Sequence, residues 1–226
     1  MNYVIATSRH WYAALASELE SQLACPFALI EQGGELTLMR LRSIQPRYIF
    51  FPHWSTRIPQ DIFENFECIV FHMTDLPFGR GGTPLQNLIS RGIYETKISA
   101  LRCTSTIDAG PVYLKRPLSL YGNAEEIYMR AAEIIRQMIV DIVKGDLVPE
   151  EQHGEPTFFK RRKAEESDIT KIENLSGLFD HIRMLDAEGY PHAFLETSHF
   201  RLEFRRATLK PGCITADVTI KSKPHE

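Results

Sequence analysis

Short apolar runs recur along the first half of the chain, separated by segments with helical spacing. Tyr3 to Ala6 gives way at Thr7 and Ser8 to a stretch with apolar residues at Trp11, Ala14, Leu15, Leu19 and Leu23, the three-and-four spacing of a helix. Further runs follow at Phe27 to Ile30, ending at Gly33-Gly34, at Tyr48 to Phe51, ending at Pro52, and at Cys68 to Phe71, which delivers His72. Continuous apolar runs of this length with helix-like connections predict buried parallel strands in a βαβ arrangement. Lys97 to Cys103 alternates as a strand does, Val112 to Lys115 continues as another, and Pro84 to Ser90 opens a helix. The clearest helix starts at Asn123, with Glu126 three residues on as a capping box, and carries Ile127, Ala131, Ile134, Met138 and Ile142 before Gly145.

Between Val148 and Pro156 the composition turns polar, with two prolines and a glycine, which predicts a linker. The expected fold is therefore α/β. A Rossmann-like, mostly parallel sheet flanked by helices occupies residues 1–150, and a small C-terminal helix plus β-hairpin appendage occupies residues 151–226. In the appendage Leu175, Leu178, Phe179, Ile182 and Leu185 form the helix stripe, and Phe200 to Thr208 and Ile214 to Ile220 form strands joined at Lys210-Pro211-Gly212. Its edge strands offer a surface for pairing with a second copy of the chain as a homodimer.

Composition narrows the partner. The 226 residues are 43% hydrophobic and 24% charged with a formal charge of -3, which exerts no global pull toward nucleic acid or anionic membrane and points to a small-molecule partner. Cys25, Cys68, Cys103 and Cys213 are scattered, with no close pair of the kind that binds zinc or does redox chemistry, so no metal site and a reducing compartment are expected. The amino terminus lacks a basic segment and a small-residue cleavage site, and no stretch reaches membrane-spanning length, which reads as cytoplasmic.

Two residues stand out chemically. His72 falls at the carboxyl end of an apolar strand, where the loops of an open parallel sheet converge, and Asp108 lies in the later turn TSTIDAG. A histidine and an aspartate that loops can bring together are the minimum for moving a proton in acyl transfer. Gly79, Gly81 and Gly82 around Arg80 form a loop able to approach a ligand closely, and Thr83-Pro84 restarts a helix facing the same cleft. Taken singly, each has a plain alternative: a strand-end histidine bonded to backbone, or a tight connection. Arg9, in the turn after the first strand, suits a phosphate or carboxylate of a substrate, and a solvated helix start fits equally well.

The run HMTDLPFGRGGTPLQ, from His72 to Gln86, resembles the signature of the N10-formyltetrahydrofolate-dependent formyltransferases, approximately NxHPSLLPxYRGxxPxQ. His72 falls on the motif histidine, Thr74 on the serine, Leu76-Pro77 on the LP pair, Arg80-Gly81 on RG, and Pro84 and Gln86 on P and Q. ETKISALRCTSTIDAG, from Glu95 to Gly110, is similar to the family's second block, with Asp108 on its aspartate, and TFFKRRKAEESDI resembles the exit from the catalytic domain. The resemblance implies an N-formyltransferase using N10-formyltetrahydrofolate as formyl donor. Its catalytic pair would be His72 and Asp108, with His72 as general base toward the amine or, protonated, as donor to the oxyanion, and Asp108 orienting the ring. It also implies a folate pocket in which Trp54 and Ile58 pack on the pterin and Cys103, Thr104, Ser105, Thr106 and Ile107 bond its edge. Arg9, Arg80, Gly81 and Gly82 are the expected substrate contacts, and His53 is expected at the surface.

One departure bears on rate. The family's asparagine two residues before the histidine, which holds the formyl oxygen, is Val70 here, and valine cannot donate a hydrogen bond. Thr74, Asn87 or a backbone N–H are the candidate replacements. The basic run Lys160 to Lys163 is followed at once by Glu165, Glu166 and Asp168, and from Arg161 onward 11 Lys and Arg meet 11 Asp and Glu. Without excess positive charge, a tRNA acceptor is the less favoured expectation and an amino sugar, free or nucleotide-linked, the preferred one. A formyltetrahydrofolate hydrolase and a folate-binding protein with impaired catalysis are the alternatives.

Overall fold

The apolar runs of the first half pair side by side. In the computed structural model, which describes residues 1–223, β1 (Asn2–Thr7), β2 (Phe27–Ile30), β3 (Pro46–His53), β4 (Cys68–His72), β6 (Glu95–Arg102) and β7 (Val112–Ser119) form one sheet in the order β2-β1-β3-β4-β6-β7. Pairing is parallel between β1 and β2, β1 and β3, and β3 and β4, and antiparallel between β4 and β6, where His72 lies opposite Ser99. Val4, Ile5, Ala6, Ile49, Phe50 and Ile69 have no exposed surface, the reason these strands read as unbroken apolar runs. The connections hold α1 (Leu15–Leu23), α2 (Leu38–Ile44), α3 (Gln60–Phe63) and α4 (Pro84–Ile89), with the two-residue strand β5 (Arg80–Gly81) before α4. The long helix α5 (Ala124–Gly145) starts as its residues predict: the Asn123 N–H donates to Glu126 Oε2 at 2.8 Å and the Glu126 N–H to Asn123 Oδ1 at 2.9 Å.

Two compact units divide the chain. The first takes Met1–Gly81, Thr96–Leu118 and Met129–Phe158; the second takes Gly82–Glu95, Ser119–Tyr128 and the chain from Phe159 on. In the second, α6 (Leu175–Arg183) follows the short strand β8 (Phe158–Phe159), and β9 (Ala193–Glu196), β10 (Phe200–Lys210) and β11 (Cys213–Ser222) form an antiparallel sheet in the order β11-β10-β9. The expected hairpin thus gains a third strand, β9, which four residues without clear alternation do not announce. Buried Arg183 ties α6 into its unit, its Nε on Asp180 at 2.6 Å and its Nη1 on the carbonyls of Leu120 and Gly122 at 2.6 and 2.8 Å. Pro224 to Glu226, the tail of the appendage read from sequence, lie outside the described residues.

The amino-terminal helix begins later than its spacing predicts. Thr7 and Ser8 lead into a single 3-10 turn at His10–Tyr12, and regular helix starts only at Leu15. Arg9 therefore does not stand at the start of an α-helix.

Candidate active site

His72 ends β4, and its ring is held by backbone. Its Nε2 lies 2.8 Å from the carbonyl oxygen of buried Gly79, in the loop that follows the strand. A carbonyl only accepts, so Nε2 carries the proton and Nδ1 is left with its lone pair in the neutral ring. Gly79, whose carbonyl faces the imidazole, adopts φ +74, a conformation that side chains disfavour. The orienting contact expected from Asp108 is therefore supplied by Gly79. The carboxylate stands on the other side of the ring, Oδ2 3.6 Å from Nδ1, with the two side chains only 9% and 15% exposed.

Asp108 is fixed by its own turn. Its backbone is left-handed, φ +53, a conformation Asp tolerates better than most residues, and Oδ2 accepts the Gly81 N–H at 2.9 Å. Gly110 closes the turn so tightly on β6 that an added Cβ would stand 1.9 Å from the Arg102 carbonyl oxygen. The Gln152 side chain spans the turn from outside, donating Nε2–H to the carbonyls of Asp108 and Gly110 at 2.9 and 2.8 Å. Its Oε1 accepts from Arg80 Nε and Nη2 at 3.2 and 2.8 Å, so the Arg80 fork expected to grip substrate holds Gln152. Thr157 anchors the loop, taking the Gly79 N–H on Oγ1 at 2.7 Å and the Arg80 N–H on its carbonyl at 3.0 Å. Nothing local in the sequence assigns these contacts to Gln152 or Thr157, which lie more than 40 residues from the groups they hold. A cavity of about 400 Å³ is lined by Leu76, Val112, Tyr113, Lys115, Gln152 and His153 among others; neither His72 nor Asp108 lines it.

The side chains expected to replace the missing asparagine are occupied. Thr74 is fully buried with its hydroxyl toward the Gly79 carbonyl at 3.4 Å. Asn87 donates to the carbonyls of Gly82, Thr83 and Lys160 at 3.0–3.1 Å and accepts from Arg91 at 2.9 Å, all within its own unit. Gly82, expected at the substrate, is packed against Arg161, whose Cβ an added methyl would approach to 2.6 Å.

The residues expected at the pterin share one apolar cluster. Trp54, Val70 and Cys103 pack against a buried group that includes Ile58, Phe51 and Cys68. The Trp54 ring meets Phe51 edge-on at 5.7 Å, and its buried Nε1–H finds no acceptor among the described residues. Apolar walls with an unanswered donor among them fit a flat heterocycle that is greasy on its faces and polar at its edge, so these residues suit a pterin. Ser105, Thr106 and Ile107 are exposed at the tip of the turn, where the Thr104 hydroxyl bonds the Thr106 carbonyl at 3.0 Å. Burial holds the Cys103 thiol up at about 11, with the Asp108 carboxylate adding to it, so the group is protonated at neutral pH.

His53 departs from the surface position expected of it. It is half-buried at the end of β3, edge-on to Trp11 at 6.0 Å, and its carbonyl accepts the Ser8 N–H at 3.0 Å. Burial, helped by the Arg9 guanidinium, pushes its imidazole down to about 4. Arg9 itself lies 5.5 Å from the Trp11 ring centroid.

Sheet and corner together define an open α/β protein with His72 facing Asp108 at the carboxyl end of a central strand. A profile of the methionyl-tRNA formyltransferase C-terminal domain matches residues 164–221. A solved structure described as methionyl-tRNA formyltransferase from Clostridium thermocellum is 50% identical, covers 99% of this chain and 100% of that one, and superposes with a TM-score of 0.96. The chain belongs to the formyltransferase family. Methionyl-tRNA formyltransferase of Thermodesulfovibrio yellowstonii is 23% identical over 194 residues, which are 82% of this chain and 62% of that protein, so this chain spans under two thirds of that curated relative. A Mycobacterium tuberculosis structure described as a likely sugar N-formyltransferase shares the fold, with 16% identity, a TM-score of 0.72, and coverage of 91% of this chain and 96% of that one.

Proposed function

We propose that the chain transfers the formyl group of N10-formyltetrahydrofolate to the primary amine of a small molecule, an amino sugar or nucleotide-linked amino sugar. The observation that carries formyl transfer is the ring of His72, pinned through Nε2–H on Gly79 with Nδ1 facing the Asp108 carboxylate. The donor supplies an activated one-carbon acyl group. As the amine attacks the formyl carbon it must lose a proton; Nδ1 is the accepting atom, and the carboxylate 3.6 Å away stabilises the imidazolium that results. Collapse of the tetrahedral adduct breaks the bond from the formyl carbon to N10, which takes the proton back from the imidazolium, so tetrahydrofolate leaves and His72 returns to its neutral form. Trp54, Ile58 and Cys103 would hold the pterin. With valine at position 70, one oxyanion donor is missing, worth about 100- to 1000-fold in rate where such donors have been removed.

The small amine is supported by the second unit's electrostatics. Arg201 is paired with Glu196 and Glu203, Arg206 with Asp217, Lys221 with Glu203 and Lys223 with Glu196, so these cations are answered within the chain rather than presented to phosphates. The relative of known structure described as a likely sugar N-formyltransferase agrees with that reading. Formyl transfer to methionyl-tRNA is a second reading, favoured by the 50% identity to the Clostridium thermocellum protein so described.

Incubating the protein with N10-formyltetrahydrofolate and, separately, nucleotide-linked amino sugars, methionyl-tRNA or no acceptor distinguishes these. Formylated sugar is the expected product. Formylated tRNA alone would replace the first reading by the second, and formate release without acceptor would make the protein a hydrolase.

A further inference from the structure

We propose that Gln152 is a positioning residue for the reaction, a side chain that fixes where the Asp108 carboxylate stands relative to His72. The proposal rests on the formyl-transfer reading for its kinetics but not for its structural test. Two backbone pieces must be in register for the pair to work: the turn Asp108–Gly110 and the loop Gly79–Gly81. The loop presents the carbonyl that holds His72 and the N–H that holds Asp108.

Gln152 joins the two pieces through both ends of one amide. Its N–H groups bond two carbonyls of the turn, and its oxygen bonds two N–H groups of Arg80, in the middle of the loop. Arg80 brings a full charge, so the bonds on Oε1 are of the stronger, charge-assisted kind. They polarise the amide so that its N–H groups donate better, each bond strengthening the other. No other side chain can substitute in kind. A carboxylate would repel the two turn carbonyls, and an ammonium would repel Arg80; only an amide has a donor end and an acceptor end at this spacing.

The turn needs such a hold. Asp108 sits at φ +53 in a stretch whose preceding residues are exposed, and its carboxylate accepts the Gly81 N–H on Oδ2. Gln152 lies 44 residues along the chain in an irregular segment, and the same segment is pinned to β7 by paired backbone bonds between Val112 and Glu150 at 2.7 and 2.9 Å. The amide is thus delivered from a fixed base. A carboxylate drifting by about 1 Å costs on the order of 100-fold in a reaction that depends on alignment.

The test uses Gln152→Met, which keeps the shape and removes all four bonds, alongside Asp108→Asn and the double variant. Gln152→Met is expected to lower kcat by about 10- to 100-fold with KM for N10-formyltetrahydrofolate unchanged. In the Asp108→Asn background the same change should do almost nothing, because the group it positions is already gone. Equal losses in both backgrounds, or a rise in KM without a fall in kcat, would overturn the assignment. Hydrogen exchange at the Gly81 amide gives a readout without turnover. It should accelerate at least 10-fold in Gln152→Met while the Ile69 amide in β4 keeps its protection. An unchanged Gly81 rate refutes the proposal even if no acceptor amine is ever found, and accelerated exchange without any formyl transfer would sink only the functional reading.

Discussion

The His72 corner and the sheet of β9, β10 and β11 use polar side chains in opposite ways. In the corner, His72, Thr74, Asp108 and Gln152 bond mainly to backbone, and the cation Arg80 is held by a neutral amide. On the sheet, Arg201, Arg206, Lys221 and Lys223 meet carboxylates side chain to side chain, most of them well exposed. Backbone partners cannot swing away, so the corner stores geometry. Exposed ion pairs are screened by water and flexible, so the sheet gains solubility and register while holding no group in a fixed place.

Substitution should separate the two most sharply at His72. His72→Gln is expected to lower formyl transfer by about 100- to 10000-fold with little change in the urea midpoint, since the amide still reaches Gly79 but cannot take a proton. An active variant would dissolve the contrast. Next in size is Val70→Asn, which restores a donor two residues before the histidine. It should raise kcat by up to about 100-fold while lowering stability by about 1–3 kcal/mol, because Val70 packs against the apolar cluster. A stable variant with unchanged rate would mean that another group already holds the formyl oxygen.

A pH effect follows from His53. Its native value of about 4 lies below the roughly 6.5 of an unfolded histidine, so between those values the unfolded chain binds the extra proton. Stability is present in full above about 6.5 and falls as pH drops toward 4. Urea midpoints at pH 7 and 4.5 should show a larger acid loss for the natural protein than for His53→Gln, and equal losses would remove His53 from the account. The smallest effect belongs to the sheet. Arg206→Gln, which breaks the pair with Asp217, should cost less than about 1 kcal/mol and leave kcat unaltered. A change in kcat there would tie the sheet to the chemistry.

The sequence already determined the central strands, because each had to be apolar on both faces and so left an unbroken run, and the start of α5, because Asn123 and Glu126 cap it locally. It also marked His72 with the glycine loop after it, and Asp108, through two separate blocks of contiguous residues. Tertiary structure alone decided that Gly79 rather than Asp108 orients the imidazole, that Thr74 and Asn87 are already engaged, that His53 is half-buried, and that Gln152 reaches the turn from 44 residues away. Spacing along a chain reports which neighbours share a face. Which distant carbonyl or amide answers a side chain is settled only when the backbone has folded and most buried donors have to find acceptors.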